Sequence, residues 1–462
     1  MKNISKIISI VFLSFSILLL CYVFYRSQVF YNGTKFDHYF KYYVIAFLFT
    51  IFSFISFFIQ RDLKINITIV FISVLIGLYF VEGYLIMQRD TYRISKQERK
   101  VDPAIYKSKT GKDYDERSIF EIYQDLKKED HNVVVAISPS TFMNDKNIGY
   151  TPLSGLSNRK TIFRNENGYY AIYQSDRYGF NNPDGEWDKN EIEFFLVGDS
   201  FAHGCCVNEV DSISGNLRKL NNNKNGVLNL GYVGIESLIE YATLREYFPS
   251  KKVKRVLWLF FGNDIRDLEL RLNNKILVNY LNDKNFSQNL ILNKQKVDKI
   301  LLKKLEQAIL EKFPISDLLI PEPAKALKKG VNGGGSFEYY DLIKFVRLDS
   351  MRGMLIPTIS TTQKMAFKNI LQLSNEFTKQ SNSKLYFVYI PDMINNFIDY
   401  KKIIHTVESL NIPIIDIRKE LINKHKDPLS LYPFRNRLLH FNEEGYRLIA
   451  ETIFNKIKEL EK

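Results

Sequence analysis

The chain has 462 residues, of which 45% are hydrophobic and 25% are charged. This composition excludes a wholly disordered chain, and the length suggests about two or three domains. The three cysteines, Cys21 and the adjacent pair Cys205 and Cys206, are too few for a disulfide scaffold and lack the CxxC spacing of zinc ribbons and fingers. The net charge of +13 favours anionic partners, such as phospholipid headgroups, acidic glycans or nucleic acid, without choosing among them.

The N-terminal part contains three long runs that are almost free of charge, at residues 7–25, 42–60 and 65–88, with Glu82 inside the third. Each run is long enough to cross about 30 Å of hydrocarbon as a helix. Core helices of soluble proteins rarely lack a polar face over such a length. A cleavable signal peptide would explain the first run, but no small-residue cleavage site follows it. The sequence therefore predicts a membrane anchor over residues 1–88 with three transmembrane helices.

Three crossings would place the N-terminus and the large C-terminal part on opposite sides of the membrane. Lysine and arginine are fewer at the N-terminus and at residues 61–64 than on the other side, which holds residues 26–41 and 89–100. The positive-inside rule therefore favours a cytoplasmic C-terminal domain. Hairpin insertion can override a modest charge bias, so the side of the large domain stays open.

Residues 89–190 are predicted to be a linker and an irregular lead-in. The stretch 89–118 is polar and shows no periodic pattern, whereas 119–129 could form a short helix and 132–137 (NVVVAI) a buried strand. Residues 138–190 are rich in Asn, Gly, Pro and Tyr and contain turn signals such as Asn167 followed by Gly168.

From residue 191 onward, predicted strands and helices alternate. Apolar strands are expected at 192–197, 226–230, 253–261, 385–390 and 412–417, and helices near 211–220, 236–247, 398–410 and 443–460. This alternation predicts a parallel α/β sheet in a domain spanning residues 191–460. The rhythm lapses at about 266–375, where a helical insertion that could cap a site is expected.

Four segments near predicted strand ends carry the residues of an acyl-transfer site: GDSF at 198–201, NLGYVG at 229–234, GND at 262–264 and HFNEEGY at 440–446. Ligands of open parallel sheets bind beyond the carboxyl ends of the strands. Ser200 would stand at a strand-to-helix turn, where its hydroxyl projects and its backbone N–H can face an oxyanion. Gly234 offers an unobstructed backbone N–H and Asn263 a side-chain N–H, while His440 would accept and return the serine proton.

These four segments resemble the sequence blocks of the SGNH/GDSL hydrolase superfamily, which is named for its Ser, Gly, Asn and His. The resemblance covers roughly residues 190–455, in the right order along the chain. It implies a flavodoxin-like three-layer domain with Ser200 as nucleophile and His440 as base. It also implies an oxyanion hole formed by Ser200, Gly234 and Asn263. No cofactor and no metal are expected.

One position departs from the superfamily pattern. Members usually carry an aspartate three residues before the histidine, but Arg437 stands there and Leu438 follows it. Asp427 is the nearest upstream carboxylate, and Asp416 is a second alternative. Either the site works as a Ser–His dyad, or Asp427 reaches the histidine through a loop, or the enzyme is inactive, because losing the orienting carboxylate slows such sites by orders of magnitude.

Other polar residues near these segments are assigned supporting roles. His203 follows Ser200 closely enough to lie near the site. Cys205 and Cys206 are interpreted as packing residues, because a vicinal pair does not readily form a disulfide. Asp199 is expected to cap the turn, and Asp264 to fix the loop that presents Asn263.

By family analogy, the protein is expected to be a membrane-bound serine esterase or O-acyltransferase that acts on an acyl ester, such as an O-acetylated polysaccharide, through an acyl-serine. Expected partners are the lipid bilayer, an acylated glycan or lipid substrate and, for a transferase, an acyl-donor partner protein. Nucleic acid is not expected, since the lysines are dispersed. The expected location is the cell membrane, as a multi-pass protein of a bacterial inner membrane. The alternative is an inactive SGNH-like protein that binds glycans or lipids.

Overall fold

The computed structural model describes residues 2–30, 33, 36–97, 103–143, 149–249, 251–266, 268–310, 359–391, 400–435 and 440–462. These residues form two compact units. The helices up to residue 97 belong to the first unit, and both β-sheets belong to the second.

The first unit consists of helices α1 (Lys2–Phe24), α2 (Phe36–Ile55) and α3 (Arg61–Gln97), with a π-helical turn at Tyr25–Phe30. The rings of Phe12 and Phe49 pack α1 against α2, with centroids 6.1 Å apart. The ammonium of Lys64 in α3 donates a hydrogen bond to Ser9 Oγ of α1 at 2.8 Å. Most of the large apolar side chains on these helices are exposed.

Within the described residues, two helical stretches, 5–29 and 61–81, are long and apolar enough to cross a membrane. The prediction of three such helices is therefore corrected to two. The middle helix offers the shorter apolar stretch Tyr39–Ile55, because the chain turns at residues 56–58 instead of continuing as a helix to residue 60. Its part beyond Lys41 rises only about 20 Å, against about 30 Å of hydrocarbon. A signal sequence or a buried core helix would meet the same criterion of length and composition.

The second unit begins with the lead-in, which contains helices α4 (Pro103–Thr110) and α5 (Ile119–Glu129) and strands β1 (Val133–Val135), β2 (Lys160–Asn165) and β3 (Tyr170–Gln174). β1 runs parallel to β2, and β2 pairs antiparallel with β3. A reciprocal capping box between Ser118 and Glu121 starts α5, which has the predicted bounds. The stretch 89–118 differs from the expected linker, because α3 continues to Gln97 and α4 follows.

The main sheet has five parallel strands, β4 (Glu191–Gly198), β5 (Gly226–Asn229), β6 (Lys252–Phe260), β7 (Lys384–Tyr389) and β8 (Ile414–Asp416). Their spatial order is β5-β4-β6-β7-β8. Counted along this sheet, the order is 2-1-3-4-5, the flavodoxin-like arrangement. The predicted parallel α/β sheet is confirmed.

Ten α-helices accompany this sheet in the described part of the chain, besides a π-helix at Arg418–Ile422 and short 3-10 turns. They are α6 (Ser200–His203), α7 (Ile213–Leu220), α8 (Ser237–Tyr247), α9 (Asn263–Arg266), α10 (Leu268–Arg271), α11 (Lys275–Asn282), α12 (Lys294–Leu310), α13 (Thr361–Gln380), α14 (Tyr400–Glu408) and α15 (Glu443–Leu460). The predicted insertion at about 266–375 thus contains helices α10 to α12 and most of α13, while 311–358 lie outside the described residues.

Helices cover both faces of the main sheet, so this part of the unit has three layers. On one face, Leu196 and Leu257 belong to a buried cluster with apolar residues of α7 and α15. On the other face, Phe260 packs against Phe367 of α13 with ring centroids 5.2 Å apart. Phe195 similarly contacts Phe248, the residue that ends α8, at 5.3 Å. Burial on both faces explains why the strands read as continuous apolar runs.

Candidate active site

Ser200 lies directly beyond the carboxyl end of β4, at the position where strand order reverses and ligands of such sheets bind. The chain turns sharply at Gly198, whose φ is +154°. A Cβ at this glycine would lie 2.6 Å from the carbonyl oxygen of Leu259 in β6, so only glycine fits. Asp199 then caps the helical turn by accepting a hydrogen bond from the Phe201 N–H at 2.9 Å, as expected for that residue.

His440 faces Ser200. Its Nε2 lies 2.8 Å from Ser200 Oγ, although the two residues are 240 positions apart in the chain. Asn442 anchors this region by capping α15, since its side chain accepts a hydrogen bond from the Gly445 N–H at 2.9 Å. The ring of Phe201 lies 4.8 Å from the imidazole and forms part of its wall. The distance permits direct transfer of the serine proton to the imidazole.

The carboxylate beside His440 belongs to Glu166, a residue that the sequence analysis did not single out. Its Oε2 lies 3.0 Å from His440 Nδ1. Ser200, His440 and Glu166 therefore form a hydrogen-bonded row with the order nucleophile, imidazole, carboxylate. This is the arrangement of a serine-hydrolase triad, in which the carboxylate orients the ring and stabilises the imidazolium.

The expectation that Asp427 orients the histidine is therefore corrected. Its carboxylate pairs with the guanidinium of Arg435, including a contact of 2.9 Å from Nη2. Asp416, the other alternative, accepts hydrogen bonds from Tyr400 Oη and from the Arg418 N–H. Both aspartates contact residues that are close to them in sequence. The carboxylate beside His440 Nδ1 is that of Glu166 in the lead-in.

Glu166 occupies the turn between β2 and β3. Asn165 stabilises this turn by accepting a hydrogen bond from the Gly168 N–H at 2.8 Å. The signal available in the sequence was the turn itself, marked by Asn167 and Gly168. Nothing in the sequence links it to a histidine 274 positions away.

The two further residues assigned to the oxyanion hole lie on loops that run beside the Ser200 turn. The Tyr232 N–H donates to the Gly198 carbonyl at 3.2 Å, which aligns the Gly234 loop with the end of β4. The Gly234 carbonyl accepts hydrogen bonds from the hydroxyls of Ser138 and Ser140 in the lead-in. These bonds tie the Gly234 loop to the lead-in.

Asn263 begins α9 after β6 ends. Burial raises the pKa of the Asp199 carboxyl, and the neighbouring Asn263 side chain partly offsets that rise. Asp264 fixes this loop, as predicted, by accepting from the Phe261 N–H at 2.7 Å. The sheet edge therefore brings Ser200, Gly234 and Asn263 to three neighbouring loops.

Cys205 and Cys206 form a disulfide with each other, so their interpretation as unlinked packing residues is wrong. Both are fully buried. Their sulfur atoms and the ligand atoms of Glu166 and His440 all lie within 4.8 Å of one another, a grouping that could hold a metal ion. In the structure these atoms are engaged with each other: the sulfurs are joined, and His440 Nδ1 faces Glu166.

His203 lies behind the site, where it is 1% exposed. Its ring stands edge-on to Phe163 and Tyr173, with centroids 4.7 and 5.2 Å away. Neither ring nitrogen has a hydrogen-bond partner among the described residues. Burial, with a smaller contribution from the charge of His440, lowers the pKa of His203 to about 3. His203 is therefore a neutral packing residue and not a proton carrier.

A His203→Phe variant is expected to resist mild acid better than the parent protein. Because the folded-state pKa of His203 is lowered, the unfolded chain binds a proton that the folded chain excludes, and stability falls as pH drops below about 6.5. This residue alone should destabilise the protein by ~2 kcal/mol at pH 5. Urea unfolding at pH 7 and pH 5 measures the difference, with exposed His131→Phe as the control. An equal acid sensitivity in parent and His203→Phe would contradict this role.

Three fully buried carboxyl groups, those of Asp199, Glu240 and Asp264, lie behind the nucleophile. Burial, followed by repulsion from Asp199 and Glu236, raises the pKa of Glu240 well above its ordinary value. Neither carboxylate oxygen of Glu240 has a hydrogen-bond partner within the described ranges. An unpartnered carboxyl in such a place is held in its neutral form.

Glu240→Gln is expected to stabilise the protein at alkaline pH. Since the folded-state pKa of Glu240 is raised, stability that is complete below the unfolded pKa is lost as pH rises toward the folded value. The amide cannot ionise, so the thermal stability of the variant relative to the parent should be greater at pH 8 than at pH 5. Thermal unfolding at both values tests this expectation, with exposed Glu459→Gln as the control. A gain that is the same at both pH values would refute it.

Solved structures that are similar to this chain include the following two. One is a protein from Desulfitobacterium hafniense DCB-2 described as lipolytic and of the G-D-S-L family, with 14% identity and a TM-score of 0.30 over 57% of this chain and 97% of that one. The other is the psychrotrophic esterase EstA from Pseudoalteromonas sp., with 13% identity and a TM-score of 0.29 over 59% of this chain and 98% of that one. No protein-family model matches the chain. No curated protein matches it either.

Proposed function

We propose that the protein is a membrane-bound serine hydrolase of the SGNH type, which acts as an esterase or O-acyltransferase on an acyl ester. The observation that carries the proposal is the hydrogen-bonded row from Ser200 through His440 to Glu166, with contacts of 2.8 and 3.0 Å. Superfamily members usually have an aspartate at the position of Arg437 to orient the histidine. In this chain the carboxylate of Glu166 lies beside His440 Nδ1 and could take that role. The case for an inactive binding module rested on that missing aspartate and is correspondingly weaker.

The geometry supports a two-step mechanism. Ser200 Oγ attacks the ester carbonyl while its proton passes to His440 Nε2, and the carbonyl π electrons move onto oxygen. The N–H groups of Ser200 and Gly234 and the side chain of Asn263 would stabilise this oxyanion. Glu166 stabilises the imidazolium, which then protonates the departing alkoxide as the acyl-serine forms. Water or a sugar hydroxyl, deprotonated by His440, takes the acyl group in the second step and restores Ser200.

The wider setting of this chemistry is part of the proposal. The two apolar helical stretches would anchor the protein in the cell membrane, and the substrate would be an acylated glycan or lipid. By analogy with the superfamily, an O-acetylated polysaccharide is the proposed example of such a substrate. A transferase would use a separate acyl-donor protein or a soluble donor.

The test uses the full-length protein purified in detergent. It is exposed to a fluorophosphonate probe and digested, and the modified peptide is identified by mass spectrometry. Covalent labelling at Ser200 is the expected result. Hydrolysis of nitrophenyl esters of increasing chain length then defines the preferred acyl group. Release of acetate from O-acetylated polysaccharide is measured with and without an added sugar acceptor, which distinguishes hydrolysis from transfer. A folded protein that is neither labelled nor active on any ester would refute the proposal.

A further inference from the structure

Glu166 is carried by a short turn at residues 165–170, termed here the Glu166 turn. The position of its carboxylate depends on what holds this turn against His440. The turn connects two strands of the small lead-in sheet and lies outside the five-stranded sheet. The main sheet therefore positions Ser200 without positioning Glu166.

Two contacts hold the inner side of the Glu166 turn. The Asn167 side chain donates to the Cys206 carbonyl at 3.1 Å, next to the disulfide. Tyr169 Oη donates to the carboxylate of Glu443, at the start of α15, at 2.7 Å. These bonds fasten the turn to the two segments that also present Ser200 and His440.

The outer side of the turn is held by the chain that follows α3 in sequence. The Asp115 N–H donates to the Gly168 carbonyl at 2.9 Å. The Asn165 side chain donates to the Asp115 carbonyl, also at 2.9 Å. Tyr170 Oη adds a third bond to the Arg117 carbonyl at 2.8 Å. The backbone at residues 115–117 therefore forms hydrogen bonds with the turn at its beginning, middle and end.

Tyr106 of α4 completes this outer contact. It is 5% exposed, and its ring lies against Gly168, where a Cβ would be 2.4 Å from Tyr106 Cε2. The same ring contacts Phe434 at 5.7 Å, in the segment that precedes His440. One aromatic side chain thus touches both the turn that carries the carboxylate and the approach to the histidine.

We propose that residues 103–118, termed the brace segment, position Glu166 and so form part of the catalytic apparatus rather than a passive linker. Tyr106 acts as a positioning residue through Gly168, and the Asp115 backbone acts through Asn165 and Gly168. The role in catalysis rests on the proposed function. A chain that begins after residue 118 would keep the main sheet and lose this support, so residues 103–118 are needed for full activity.

The test compares full-length variants in detergent. Tyr106→Ala removes the ring under Gly168 and should lower kcat for ester hydrolysis by about 10- to 100-fold, with KM changed less than about twofold. Tyr106→Phe keeps the ring and should restore kcat. Lys303→Ala, at an exposed position of α12 outside the brace segment, is the control. In a Glu166→Gln background, Tyr106→Ala should reduce kcat by less than about twofold, because both changes act on one interaction.

Hydrogen exchange supplies a second readout that does not depend on activity. In Tyr106→Ala, peptides covering residues 165–170 should exchange about tenfold faster while those of β4 stay unchanged. The brace proposal would be overturned if the turn kept its protection in Tyr106→Ala. It would also be overturned if Tyr106→Ala lowered kcat by the same factor of about 10- to 100-fold in the Glu166→Gln background. If β4 also loses protection, Asn165→Ala decides by the same measurements. An unlabelled, inactive parent protein would instead refute the proposed function, and exchange would still decide whether the brace holds the turn.

Discussion

Replacing Ser200 with alanine is expected to abolish fluorophosphonate labelling and to lower kcat for ester hydrolysis by about 10⁴-fold or more. The reason is that Ser200 Oγ, 2.8 Å from His440 Nε2, is the one hydroxyl in the described row that the imidazole can deprotonate. His440→Ala should have an effect of similar size, and the double variant should be hardly worse than either, because the two residues act as one unit. Labelling rates and steady-state hydrolysis measure both effects.

Ser214→Ala is the matched control for the nucleophile. Ser214 is buried like Ser200, but its hydroxyl faces Ser212 Oγ at 2.9 Å instead of a histidine. The control should label at the parental rate. Labelling that survives in Ser200→Ala, or that moves to another serine in the parent, would show that the nucleophile has been misassigned.

Glu166→Gln is expected to lower kcat by about 10²- to 10⁴-fold with little change in KM. The amide has the shape of the carboxylate but not its charge, so it cannot stabilise the imidazolium that forms as Ser200 loses its proton. The 3.0 Å contact between Glu166 Oε2 and His440 Nδ1 is the interaction removed. Glu166→Asp shortens the side chain and should recover part of kcat, because the charge remains.

Asp427→Asn provides the internal comparison, since Asp427 is one candidate for the orienting carboxylate from sequence and the structure pairs it with Arg435. Its kcat should stay within about twofold of the parent. If kcat were lowered in Asp427→Asn and unchanged in Glu166→Gln, the assignment of Glu166 as the orienting carboxylate would be contradicted. If both were normal, the site would work as a Ser–His dyad.

The predictions that succeeded from sequence depend on local patterns. Apolar runs separated by helical segments predict a parallel sheet, since strands buried on both faces must be apolar throughout. Short motifs at the ends of those strands predict where Ser200 and Asn263 lie, because a tight turn such as Gly198 to Ser200 can adopt few backbone conformations. The pairing of Ser200 with His440 was expected from the sequence motif and the superfamily resemblance, and the structure places Ser200 Oγ 2.8 Å from His440 Nε2.

The carboxylate that lies beside His440 was decided by tertiary structure alone. Glu166 sits in a hairpin whose own sequence predicts only a turn, and its meeting with His440 joins residues 274 positions apart. The vicinal disulfide and the length of the middle apolar helix were also decided there, since each depends on how the chain bends at one place. Sequence patterns determine local conformation and burial. Which loop reaches a given imidazole is determined by the packing of the lead-in against the sheet.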